Sequence, residues 1–164
     1  MNETALDEQS FLWPTPSWLI AFAAVVGYVL LLFGFDSVLP LQVLSPGFAP
    51  LAALGGILAY GILVWLMNSG DPRIWADTTR FTEYVRDWAD LTARPMPDAD
   101  SVANLRLRAK RTGGIALAQQ AGLVAGAGAG VTVLDYSGFL AILAFGGTML
   151  IVGLALRHWL VGRE

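Results

Sequence analysis

Four stretches of this chain contain no Asp, Glu, Lys or Arg: Trp18–Phe35, Ala49–Met67, Gly113–Leu134 and Gly138–Leu156. Each is 18–22 residues long, about what an α-helix needs to cross a hydrocarbon core of roughly 30 Å. In such a medium every backbone N–H and C=O must be satisfied within the segment, which leaves the helix as the form a single apolar stretch can take. A soluble chain has about a quarter of its residues charged; here the share is 14%, with 55% hydrophobic residues and a mean hydropathy of +0.59. The expectation is an all-α membrane protein with four transmembrane helices in two hairpins and a cytoplasmic helical insert. Its divisions are a cytoplasmic N-terminal tail (1–17), a first hairpin (18–67), the insert (68–112), a second hairpin (113–160) and a cytoplasmic end (161–164).

The tail "MNETALDEQS" is acidic and has no Lys or Arg, so the first block does not read as a cleavable signal, which needs a basic start. Basic residues set the orientation. All ten Lys and Arg fall between Arg73 and Arg111 or at Arg157 and Arg163, and the connections 36–48 and 135–137 have none. The positive-inside rule then places the insert and both termini in the cytoplasm, in the cell membrane of a multi-pass protein. Trp13, Trp18, Trp65, Trp75, Trp88 and Trp159 all map to that side or its interface, where indole rings prefer to sit. Each external bend carries an Asp with a Ser close behind, Asp36–Ser37 and Asp135 with Ser137, a faint sign of a duplicated two-helix unit.

Within the insert, "GDPRIW" reads as a helix start with Asp71 as N-cap and Pro72 in the first turn. Pro95 and Pro97 close that helix, because a residue before proline is pushed out of the α region. At helical spacing Ile74, Thr78, Phe81, Tyr84, Val85, Trp88 and Leu91 fall within an arc of about 140°. The other side holds Arg80, Glu83, Arg86, Asp87 and Asp90, a mixture of signs unlike the cationic face of a lipid-adhering helix. The face Phe81, Tyr84, Val85, Trp88, Leu91 is therefore expected to lie in the interface, to pack on the chain's own bundle, or to dock a partner. A second helix starts near Asp100 or Ser101 and runs into the third span. Arg106, Arg108, Lys110 and Arg111 sit at that junction, either as a topological anchor or as a contact for anionic lipid.

The third span carries a small residue every fourth position: Gly114, Ala118, Gly122, Gly126 and Gly130. In lipid, burying apolar surface between helices gains little, so helices associate by close packing, which small residues permit. The stripe reads as a helix-packing seam, facing Ala23 and Gly27, Ala52 and Gly56, or the same span of a second copy. Gln119 and Gln120 flank it and are expected to face protein, as hydrogen bonds that fix register or as the lining of a polar cavity.

Several chemistries are disfavoured. There is no cysteine for thiolate metal sites or nucleophilic catalysis. No span holds an ionisable group of the kind ion-coupled transporters use. The single histidine, His158, cannot provide paired haem ligands. "GAGAG" lies in an apolar span and follows no strand, so it is no phosphate loop. No catalytic, cofactor or metal site is expected, and nucleic acid is not an expected partner; membrane lipid and other transmembrane helices are. Two functions fit: a non-catalytic accessory, scaffold or assembly subunit of a membrane complex, or a homo-oligomeric channel or carrier for a small uncharged solute lined by Gln119 and Gln120.

Overall fold

The computed structural model describes residues 18–39, 42–67 and 73–162. The described residues form five α-helices and no strands: α1 (Trp18–Val38), α2 (Ala49–Met67), α3 (Thr78–Leu91), α4 (Ala99–Val131) and α5 (Gly138–Val161). Four of them, all but α3, are long and apolar enough to cross a membrane. The tail 1–17, Asp71, Pro72 and Arg163 lie outside the described residues.

α4 is the axis of the molecule. Its 33 residues make a rod of about 50 Å at 1.5 Å per residue, longer than a bilayer core is thick, with a polar first third and an apolar remainder. α1 and α2 pack on α4, and α5 lies along another side of it. Of the most apolar window of α4, 67% is buried, against 6% for α5. α5 therefore rests on α4 and leaves most of its surface outward, including Phe139, Ile142, Ile151 and Leu154.

Local chemistry sets the element ends. Asp77 caps α3 by accepting from the amides of Thr79 at 2.8 Å and Arg80 at 3.3 Å. This helix accordingly begins at Thr78, well after the expected start at Asp71, and Ile74 belongs to a separate 3-10 turn, Ile74–Ala76. Its end is a Schellman closure: the Arg94 amide donates to Ala89 O at 2.9 Å and that of Ala93 to Asp90 O at 3.2 Å. Ala93 takes the left-handed conformation (φ 53°) that this closure requires. The helix thus stops before Pro95 can act on it. Asp98 caps α4 through the Ser101 amide at 2.7 Å, and the helix begins at Ala99, one residue before Asp100.

The two Asp–Ser bends are built differently. Asp36 reaches across the first bend to accept from the Leu44 amide at 2.9 Å, and Ser37 donates back to Phe33 O at 2.8 Å. At the second bend Ser137 is the N-cap of α5, accepting from the Leu140 amide at 3.4 Å, and Asp135 is exposed.

Candidate functional site

The small-residue stripe of α4 is an internal seam, and its partner is α5. A methyl added at Gly122 would stand 2.7 Å from Met149 O; at Gly126, 2.7 Å from Phe145 O; at Gly130, 3.2 Å from Ala141 O. At Gly114 it would meet Val161 at 2.9 Å. As the α4 number rises the α5 number falls, so the helices run antiparallel in near-backbone contact. Ala118 is fully buried in the same line. The expected partners Ala23 and Gly27 do not face this stripe, and Gly27 has open space around it. Ala52 and Gly56 do pack on α4, but through a second small-residue face. There a methyl on Gly56 would lie 3.0 Å from Val124 O, and one on Gly128 would lie 2.8 Å from Ala52 O. Two glycine-bearing faces on one helix explain how α4 admits neighbours on both sides.

The two glutamines part company. Gln120 is 1% exposed and its Oε1 accepts a short hydrogen bond from the Tyr60 hydroxyl of α2. Tyr28 of α1 likewise donates to Ala52 O at 2.6 Å, so two buried tyrosines stitch the first three apolar helices. Gln119, one position on, is turned 100° away and is exposed; the expectation that both face protein holds for Gln120 alone.

The insert is fastened to the foot of α4. Arg106 donates from Nε to Trp75 O at 2.7 Å, from Nη1 to Thr78 Oγ1 at 2.5 Å and from Nη2 to Ala76 O at 3.3 Å. This arginine is a staple between the insert and α4. Trp75, 3% exposed, lies against Gly113, where a methyl would come within 2.6 Å of the indole. Phe81, Val85 and Trp88 are buried in one continuous core with Trp75, Val102 and Ala109, and Tyr84 packs beside them. Burial raises the Tyr84 phenol above its usual range. Of the three expected dispositions of this face, packing on the chain's own bundle is the one seen, except that Leu91, at the last turn, is 88% exposed. Trp75 and Trp88 are core residues, whereas Trp18, Trp65 and Trp159 are exposed.

Sequence reasoning missed the Trp75–Gly113–Arg106 fastening and both tyrosine bonds. The signal available for the latter was two phenols, Tyr28 and Tyr60, inside otherwise apolar blocks, since a buried hydroxyl needs a partner.

Beside α4, at the basic end, lies a groove of about 340 Å³ lined by Arg111 and Ile115 of α4, by Leu154, Arg157, His158 and Val161 of α5, and by Gly162. Lys110 points to the same end, its Nζ 3.8 Å from where a methyl on Gly162 would lie, at the helix C-terminus where a cation is favoured. Arg73 stacks over the Trp159 ring at 5.3 Å nearby. Among the described residues no three His, Asp or Glu side chains gather as a metal site would require. Compared with protein-family models, curated proteins and solved structures, the chain matches none.

Proposed function

We propose that this chain is a multi-pass protein of the cell membrane, with two transmembrane hairpins and with its insert and both termini cytoplasmic, that serves as an accessory or scaffold subunit of a larger membrane complex and performs no catalysis of its own. The observation that supports this reading is where the glycines outside the seams lie. Gly27 and Gly34 of α1, seven residues apart and so on one face, have nothing within 4 Å of an added methyl; nor do Gly61 of α2 and Gly146 and Gly147 of α5. Small residues are enriched where transmembrane helices meet, and lipid gives no comparable reason for them. The internal seams account for Gly114, Gly122, Gly126, Gly128 and Gly130 and leave these five uncovered. The alternative of a solute path lined by Gln119 and Gln120 is less favoured, because the Gln120 amide is closed in against Tyr60.

The test is extraction from the native membrane in a mild detergent, followed by native mass measurement and identification of the co-purifying chains. The reading expects foreign transmembrane subunits in fixed ratio, released by Gly27→Leu or Gly147→Leu while the chain itself stays folded. A lone chain or a pure homo-oligomer would overturn it, and the homo-oligomer would send attention to solute flux.

A further inference from the structure

We infer that the groove between the foot of α4 and the end of α5 is a binding site for one anionic phospholipid, its phosphate held by Arg111, Arg157 and His158 and its acyl chains lying against Ile115 and Leu154. This rests on the membrane embedding of the four helices and not on the accessory role.

The groove is amphipathic along its length. Its mouth carries two guanidiniums and an imidazole, all exposed, with the Lys110 ammonium beside them. Among the described residues no carboxylate lines it. Arginine in this setting offers a rigid fork of donors suited to phosphate oxygens. A free phosphate would meet only the mouth. Further in, Ile115 is a turn past Arg111 and Leu154 a turn past Arg157 and His158; both are aliphatic and belong to helices long and apolar enough to span a membrane. A ligand that satisfies both must be anionic at one end and hydrocarbon at the other.

Gln119 adds a second reason. It lies one turn beyond Ile115 on the same face of α4 and is exposed, and helical side chains lean back over the preceding turn. With the lipid seated, its amide would offer N–H donors to the ester carbonyls below the phosphate, acceptors that hydrocarbon tails lack. An exposed amide in an apolar layer is costly without such a partner.

The full-length protein, reconstituted in nanodiscs of phosphatidylcholine mixed with phosphatidylglycerol, is released into the gas phase and its retained lipids are weighed. Selective retention of one phosphatidylglycerol is expected. Arg111→Gln or Arg157→Gln each lowers it about five-fold, the effect of one juxtamembrane charge, and Arg86→Gln, an equal charge change on α3, leaves it unaltered. Millimolar inorganic phosphate does not displace the lipid. Equal retention of both lipids by the wild-type protein would overturn the site without any variant. Equal losses from Arg86→Gln would reduce it to net charge, and displacement by phosphate alone would make it an anion site instead of a lipid site.

Discussion

At the scale of single residues, Gln120 is a fully buried amide bonded to a neighbouring helix. Replacing it with leucine leaves the Tyr60 hydroxyl without its acceptor in the core, at a cost of about 1–3 kcal/mol. Tyr60→Phe costs less, about 0.6–2 kcal/mol for the lost interhelical bond, because Gln120 makes further interactions. The double variant should recover part of the sum, since removing both partners leaves no orphan; reversible unfolding in mixed micelles gives the four values. Gln119→Leu should leave stability unchanged. The sequence shows two adjacent amides and cannot say which one is buried, since 100° of rotation separates them and the stripe does not tell on which side of it α1 and α2 pack. Asp98 is a second residue with a definite consequence. The Ser101 amide, with the Ser101 hydroxyl and the Asp100 amide behind it, holds its carboxyl below the ordinary 3.8. The folded value being lowered, its capping contribution is complete above pH 3.8 and is lost as pH falls through the lower folded value. Protection of the Ser101 amide, its exchange relative to the intrinsic rate at each pH, should therefore fall only in that acidic range, and Asp98→Asn should remove that fall.

At the scale of elements, the α4–α5 seam is held by closeness of backbones, and a single methyl tests it. Gly126→Ala would place a carbon 2.7 Å from the Phe145 carbonyl oxygen, so α5 must move, and a loss of about 1–3 kcal/mol or more follows from overpacking. Gly147→Ala meets open space and should be neutral or slightly stabilising through helix propensity. Thermal unfolding of the two variants side by side separates a packing seam from a general intolerance of change. The four apolar helices were legible in the sequence because some twenty residues without a charge can satisfy their backbone in hydrocarbon by coiling into a helix. α2 spans Ala49–Met67, the limits of its charge-free block. The stripe on α4 was legible as a seam, but its partner was not: Ala141, Phe145, Met149 and Gly153 mix small and large side chains, and only the chain's course brings them against glycine. For α3 the periodicity placed the aromatic face correctly on one side. It could not say what covers that face, because a helix face apolar enough for the interface is equally apolar enough for a core. The start at Asp71 failed for a related reason. Two aspartates, Asp71 and Asp77, stand before the apolar run, and the second caps α3 while residues 73–76 turn to lay Trp75 on Gly113.

For the whole molecule, one arrangement accounts for the parts. On the four-span reading α4 reaches beyond the apolar layer, and its polar foot, stapled by Arg106 to the segment 75–78, carries the insert. The same foot and the end of α5 bring Lys110, Arg111, Arg157 and His158 together at one end. That end should lie at the cytoplasmic surface, with the bends at 36–48 and 135–137 on the other side. The proposed partner contacts of the outward glycines and the proposed lipid site both depend on this disposition. Because the natural chain has no cysteine, single thiols can report it without background. Ser45→Cys and Tyr136→Cys in the bends, and Asp90→Cys on the exposed side of α3, are each challenged in intact cells with a membrane-impermeant maleimide. Labelling of Cys at 45 and 136 in intact cells, with 90 reacting only after lysis, is the predicted result. Labelling of all three on one side of the membrane would contradict the four-span account.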